Sequence, residues 1–262
     1  MPYLIYCRTR VIFRRVDRHL IFDIGACDGI DTVYYLSQGF RVVAVEANPA
    51  SVRRLQSRFA AEIEQARLQI VAGAVTDQQG DQTLYLSNLH DEWASLYREL
   101  CRTEGEHQTV TVPAVNLAAV VQQFGVPYYA KIDIEGADLV AARMFSRLNE
   151  RPRYMSIETG PTMEWLDGLS DIGYSKFKFI DQSGVPQLTQ PSTRRNGKPA
   201  HQFALGSSGP FGEDTPGPWL GYEEAKSWFE EYLAKPGEKN LWFDIHAKYF
   251  PRRWFDFLFK RS

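Results

Sequence analysis

Residues Ile21-Phe22-Asp23-Ile24-Gly25-Ala26-Cys27-Asp28-Gly29 constrain this chain more than any other stretch. An apolar run breaks at two glycines and passes into the helical pattern of residues 30–37, which predicts a buried strand, a tight turn and a helix N-terminus. Neither glycine carries a Cβ, so the backbone can turn sharply there and lie close to a ligand. A first strand of this kind points to an α/β sheet with its ligand beyond the carboxyl ends of the strands.

The following segments repeat the pattern. Arg41 to Glu46 is a second buried strand ending in a carboxylate, and Asn48-Pro49 opens a helix to Ile63 with Val52, Leu55, Phe59 and Ile63 on one face. Leu68 to Ala72 is a third strand, so the alternation predicts right-handed crossovers and a mainly parallel sheet. A turn at 77–81, a half-exposed strand at 83–86, a polar irregular stretch at 87–108 and an extended segment at 109–113 come next. Asn116 can cap a short helix to Phe124. Tyr128 to Gly136 then repeats the opening: a buried strand, acids at its carboxyl end, and a glycine before a helix at 137–148. Tyr154 to Glu158 is a fifth strand, and Tyr174–Ile180 with Gln202–Leu205 reads as a closing pair. Residues 222–233 form an amphipathic helix, and residues 241–262 gather eight large aromatics among scattered bases. The expected organisation is an arm at 1–19, one domain at 20–206 and a carboxyl-terminal extension at 207–262. That extension packs against the domain or serves as an acceptor-side lid.

With 44% hydrophobic residues and a formal charge of −2, the chain has no global basic field for nucleic acid. Cys7, Cys27 and Cys101 are odd in number and far apart, which fits reduced thiols in a cytoplasmic protein. No stretch approaches the ~18 to 20 apolar residues of a membrane span. Arg8, Arg10, Arg14, Arg15 and Arg18 interrupt the first apolar positions, so no signal-peptide core is expected. The bases and aromatics near both ends leave open a peripheral contact with a membrane surface.

Asp23, Glu46, Asp133 and Glu158 all fall at the ligand edge of the expected sheet. A carboxylate about 20 residues past a glycine turn can accept both hydroxyl hydrogens of a ribose, and Glu46 stands there. A dinucleotide fingerprint needs glycine at its first, third and sixth places, where this chain has Gly25, Cys27 and Ile30. The form present is Asp-x-Gly-x-x-x-Gly. An acid at such a turn, Asp23 or Asp28, suits a ligand with a charged amino-acid tail and no pyrophosphate, and S-adenosylmethionine has that shape.

Taken together, Asp23 to Gly29, Val45-Glu46-Ala47-Asn48-Pro49, Lys131-Ile132-Asp133-Ile134-Glu135-Gly136-Ala137-Asp138 and Ser156-Ile157-Glu158 resemble the FkbM family of S-adenosylmethionine-dependent methyltransferases. The likeness runs in order over about residues 20–180, and Trp93-Ala94-Ser95-Leu96 is similar to the family's serine-bearing loop. Cys27 stands where the family has asparagine. The resemblance implies a class I methyltransferase sheet, a Rossmann-like, doubly wound α/β fold of seven strands with the last one reversed. It also implies methyl transfer to a hydroxyl of a sugar, glycolipid or natural product. Asp23, Gly25, Ala26, Cys27, Asp28 and Gly29 would hold the methionine moiety and Glu46 the ribose. Ala47 or Ala74 would lie near the adenine, Asn48 would be a further cofactor-binding residue, and Asp133 would face the methyl group.

An alcohol attacks poorly while protonated, so a base or a metal is needed. Asp133 and Glu135 are the leading candidates by position; the alternatives are that Asp133 pairs with Lys131 and that Glu135 caps the next helix. Asp133 with Glu158 can instead hold a divalent cation. His201 and His246 are further bases, the latter oriented by Asp244. Two other functions stay open: a non-catalytic cofactor-binding scaffold and, against the glycine pattern, an NAD-dependent oxidoreductase.

Overall fold

The computed structural model describes residues 15–159, 162–190, 199–234 and 242–250. In chain order the elements are β1 (Val16–Ile24), α1 (Ile30–Ser37), β2 (Arg41–Glu46), α2 (Pro49–Arg58), α3 (Ala60–Glu64), β3 (Leu68–Ala72), β4 (Ala74–Val75), β5 (Asp81–Leu86) and β6 (Gln108–Val115). There follow α4 (Leu117–Phe124), β7 (Val126–Ile132), α5 (Asp138–Ser146), β8 (Tyr154–Thr159), α6 (Glu164–Asp171), β9 (Lys176–Asp181), β10 (Thr189–Gln190), β11 (His201–Gln202), α7 (Tyr222–Ala234) and β12 (Phe243–Lys248).

Seven strands build the central sheet in the order β3-β2-β1-β7-β8-β12-β9. The strands pair in parallel except β12, which runs antiparallel to both β8 and β9. The order reverses between β1 and β7, so a crevice opens beyond the carboxyl ends of those two strands. Strand residues are buried on both faces because side chains alternate across a sheet covered on both sides. Leu20, Phe22 and Ile24 of β1 meet Val43 and Val45 of β2 on one face, under α4, α5, α6 and α7. Ile21, Val42 and Ala44 point the other way, toward Tyr34, Tyr35, Leu55 and Phe59 of α1 and the α2 segment. Beyond α1 that second face is covered by irregular chain: Phe211 stacks flat on Tyr129 of β7, with centroids 4.4 Å apart. Each such aromatic contact adds to the area it buries, which lets a loop do a helix's work.

The doubly wound sheet with one reversed strand agrees with the sequence, but the reversed strand is not where it was expected. Gln202–Leu205 does not close the sheet; His201–Gln202 pairs only with Thr189–Gln190 in a small ribbon. The reversed strand is Phe243–Lys248, inside the segment expected to be a separate extension, so the 206/207 boundary cuts the sheet. β1 likewise begins at Val16, inside the expected arm, while residues 1–14 and 251–262 lie outside the described residues. The long second helix breaks at Phe59, whose φ of −113° leaves the helical region, and α6 was not anticipated. A small sheet, β4-β6-β5, sits beside the main one and brings Leu84 and Val112 over Ala74.

Candidate active site

A cleft of about 1010 Å³ opens at the carboxyl ends of the parallel strands. One wall is the glycine turn. Gly25 has φ +83°, and a Cβ added there would stand 1.8 Å from the carbonyl oxygen of Asp133, so the turn lies directly on the end of β7. Glu46 braces the turn from β2: its carboxylate accepts from the amide of Cys27 at 2.7 Å and, through the other oxygen, from the amide of Asn48 at 2.7 Å. Burial raises the pKa of Glu46, and those two amides work against the rise. Cys27 itself has φ +46°, a left-handed conformation that costs a non-glycine residue about 1 kcal/mol or more.

Beneath the turn lies a buried polar cluster that the sequence reading did not assemble. Lys131 of β7 is 5% exposed and donates to the carbonyl of Gly25 at 3.0 Å. Its ammonium stands 3.3 Å from Asp133, 3.9 Å from Asp23 and 3.9 Å from Asp31. Burial works to lower the lysine's pKa, but the surrounding carboxylates outweigh it and hold the charge in place. Thr32 donates to Asp23 at 2.5 Å, while the hydroxyl of Ser207 and the amide of Ser208 donate to Asp31. Burial pushes Asp23 up to about 7 and raises Asp31 and Asp244 of β12 as well. A lysine in mid-strand is costly alone; it persists here because each of its neighbours needs it.

The opposite wall carries the acids of the second motif. Carboxylate oxygens of Asp133, Glu135 and Glu158 lie within 4.8 Å of one another. Burial first, then the repulsion of Asp133, pushes Glu135 up to about 7 and Glu158 up to about 9. Glu135 has φ +54°, so of the three non-glycine residues with positive φ among the described ones, two border the cleft. Glu135 does not cap the next helix, which has no side-chain cap; Asp138, its first residue, accepts instead from the amides of Ile134 and Gly136 in the turn before it, at 3.0 Å each. The loop at 91–102 closes over this wall, with the Ser95 hydroxyl donating to the Glu135 carbonyl at 2.7 Å and Leu100 and Tyr97 resting on Gly136.

Of the residues expected around a cofactor, Gly25, Ala26, Cys27, Asp28, Glu46, Ala47, Ala74 and Asp133 line the cleft. Ala47 and Ala74 border an apolar patch with Leu84, Ala94 and Leu96. Three fall behind it. Asp23 lies under the turn at 1% exposure, Gly29 packs on Phe59, and Asn48 caps α2 through its bond from the Ala50 amide. His246 is a larger departure: it is 1% exposed between Ser156 and Lys178, outside the cleft, and burial lowers its pKa to about 3. A fully buried neutral imidazole with no path to the cleft is structural. His201 packs against Tyr34 and Phe203 in tilted and edge-on contacts and does not line the cleft. The sequence reading missed Lys131, Arg102, Trp165, Leu205 and Trp242 as cleft residues. Only Lys131 had a sequence signal, a charge inside an otherwise apolar strand.

The raised acids set a pH dependence. Asp23, Asp138, Glu135 and Glu158 have folded pKa values of about 7, 6, 7 and 9, above the unfolded range near 4. Their protonated forms favour the folded state, so this contribution is complete at low pH and is lost as pH rises through those values. Urea unfolding of the ligand-free protein should show a higher midpoint at pH 5.5 than at pH 8.5. A midpoint that rises across that range would contradict the buried-acid arrangement.

A sheet with this strand order, one reversed strand and a glycine-turn cleft at its switch point defines the class I methyltransferase fold. The chain belongs to the FkbM methyltransferase family: the family model for the methyltransferase FkbM domain matches residues 23–183. Among solved structures it is similar to the FkbM methyltransferase of Methylobacillus flagellatus, at 19% identity and TM-score 0.34 over 58% of this chain and 36% of that one. It thus spans about a third of that protein's length. It is similar too to precorrin-6Y C5,15-methyltransferase of Geobacter metallireducens, at 11% identity and TM-score 0.41 over 90% and 83% of the two chains. A TehB-like S-adenosylmethionine-dependent methyltransferase of Corynebacterium glutamicum matches at 14% identity and TM-score 0.35 over 73% and 77%. No curated protein matches the chain.

Proposed function

We propose that this protein is an S-adenosylmethionine-dependent O-methyltransferase acting on a hydroxyl of a sugar, glycolipid or natural product. The observation that carries this reading is the convergence of Asp133, Glu135 and Glu158 across the cleft from the Gly25 turn.

The residues present fit the donor. The missing Cβ at Gly25 lets the turn lie against the end of β7 at the cleft wall, Ala47 and Ala74 offer a small apolar floor for a base, and the acids complement a molecule with two positive centres. Bound there, S-adenosylmethionine supplies a methyl carbon that is already electrophilic. The chain's own task is to orient the acceptor, exclude water and take one proton. Lys131 fixes Asp133 at the rim, and the loop at 91–102 shields the site. Glu135, with its pKa near neutrality, accepts the proton of the acceptor hydroxyl. Glu158 stays protonated at neutral pH and can donate a hydrogen bond to the same oxygen.

A labelled-methyl assay on cell extracts identifies the acceptor and then separates the roles. Glu46→Ala should raise the donor's KM tenfold or more while changing kcat little, because it loosens the Cys27 turn. Glu135→Gln and Asp133→Ala should lower kcat roughly a hundredfold. Equal, small effects from all three would place the chemistry elsewhere. The three carboxylate oxygens are also close enough to share one divalent cation. Activity abolished by EDTA and restored by magnesium would assign Glu135 and Glu158 to that cation and not to proton transfer. Saturable donor binding with no methylated product in any carbohydrate or lipid extract would favour the scaffold reading.

A further inference from the structure

The cleft runs from the end of β2 across β1, β7 and β8 to Trp242, the residue before β12. Because β12 is reversed, its beginning and not its end meets this edge of the sheet. Neighbouring strands lie ~4.8 Å apart, so the span from β2 to β12 is roughly 19 Å. A donor with its ribose at Glu46 and its methyl carbon at Asp133 ends over β7. The last ~10 Å, over β8 and β12, is left to the acceptor.

That end of the cleft has an apolar rim. Among the described residues seven large apolar side chains stand exposed, and four of them, Tyr97, Leu100, Leu205 and Trp242, gather at this one opening. Leu100, Leu205 and Trp242 line the cleft, as does half-buried Trp165 at the start of α6, and Tyr97 rests beside Leu100 on Gly136. Leu205 is the most exposed of the seven, at 65%. It sits at the tip of a turn closed by the Ser207 amide on the Ala204 carbonyl at 3.2 Å, with Gly206 at φ +86° completing the bend. The next two residues are tied down: the Ser207 hydroxyl donates to Asp31 at 2.6 Å and the Ser208 amide at 3.1 Å. An anchored turn thus holds a leucine out over the opening, where turn tips are ordinarily polar.

We propose that Leu100, Trp165, Leu205 and Trp242 form an acceptor subsite for a bulky apolar group, so that the substrate is a hydroxyl carried beside an aromatic or aliphatic body and not a free sugar. The proposal rests on the methyl-transfer reading above and narrows its acceptor. The two chemistries of the cleft divide the substrate between them. Asp133, Glu135 and Glu158 take the hydroxyl-bearing end, and the rim removes the apolar remainder from water. A free sugar has hydroxyls on every side, and pressing them against Leu205 and Leu100 would strip their water without replacing it. The acids repel a nucleic acid or any other polyanion. A concave cleft of about 1010 Å³ with aromatic walls and a few convergent polar groups has the form of a small-molecule site, not of a protein-docking face.

Calorimetry on the full chain saturated with S-adenosylhomocysteine tests the subsite, with 2-naphthyl β-D-glucopyranoside and methyl β-D-glucopyranoside as probes. The two share one sugar and differ only in the apolar group. The naphthyl glycoside should bind at least tenfold tighter. Leu205→Ser and Trp242→Ala should each weaken its binding by roughly three- to tenfold while leaving the affinity for S-adenosylhomocysteine within about twofold. Both side chains are exposed, so thermal midpoints equal to the parent's should accompany these losses and assign them to contact. Sedimentation velocity should give the same species for the parent and Leu205→Ser. Equal or undetectable binding of both glycosides would overturn the subsite, as would naphthyl binding that neither substitution changes. A dimer that Leu205→Ser dissolves would give the rim to a second copy of the chain and overturn it too. A parent chain that does not bind S-adenosylhomocysteine would overturn the methyl-transfer reading itself, which separates that failure from failure of the subsite alone.

Discussion

Gly25→Ala is expected to abolish measurable binding of S-adenosylmethionine in calorimetry and to lower the thermal midpoint by roughly 5–15 °C. Two costs combine. The residue sits at φ +83°, where an L side chain is disfavoured by about 1–3 kcal/mol, and the new methyl group would overlap the Asp133 carbonyl oxygen at 1.8 Å. Overpacking against backbone adds about 1–3 kcal/mol because the carbonyl cannot rotate away as a side chain would. At this chain length each kcal/mol moves the midpoint by about 2–4 °C. The turn and the end of β7 must separate, and that moves Cys27 off Glu46 and Lys131 off the Gly25 carbonyl. A variant with wild-type donor affinity would show that the turn does not form the donor site.

Lys131→Met should destabilise the protein by about 3–5 kcal/mol near pH 8. Methionine fills the volume but withdraws the positive charge that Asp23, Asp31 and Asp133 share. The signature that separates this from simple misfit is its pH dependence. Without the ammonium, the buried carboxyls hold their protons to higher pH, so the variant's stability should recover toward the parent's as pH falls from 8 to 5. Comparing urea midpoints of parent and variant at both ends of that range checks it. A deficit that does not change with pH would mean that the lysine acts through packing alone.

The parts of the fold legible in the sequence are those whose physics is local. Two-sided burial makes β1, β2, β7 and β8 continuous apolar runs, and Asn48 and Asn116 cap α2 and α4 from the residues that begin them. The glycine turn, Glu46 and the Asp133-Glu135 pair were legible for the same reason: each is a short motif at a strand end. β12 was hidden because one of its faces carries Asp244, His246 and Lys248, which interrupt the apolar run that marks a buried strand. Asp244 is tolerated inside the protein because Ser208 bonds to it and Lys131 lies near it, and Lys248 because Glu213 pairs with it, all distant in sequence. The pairing of Lys131 with Asp133 was legible as an alternative, but its sharing with Asp23 and Asp31 was not, since those acids come from β1 and α1. His246 was misread because a histidine two residues from an aspartate looks like an oriented base, whereas register puts it between Ser156 and Lys178, buried and outside the cleft.

The position of β12 also shapes how the molecule is made. Among the described strands it is the last in chain order, and yet it lies between two strands finished more than sixty residues earlier. Until residue 248 emerges, β8 and β9 each hold an unpaired edge toward the same gap, with the full set of peptide hydrogen-bonding groups exposed. A nascent chain stopped before that point therefore presents two strand edges on which a foreign strand can pair. Premature termination in this gene would produce a sticky, chaperone-bound fragment, not a smaller enzyme.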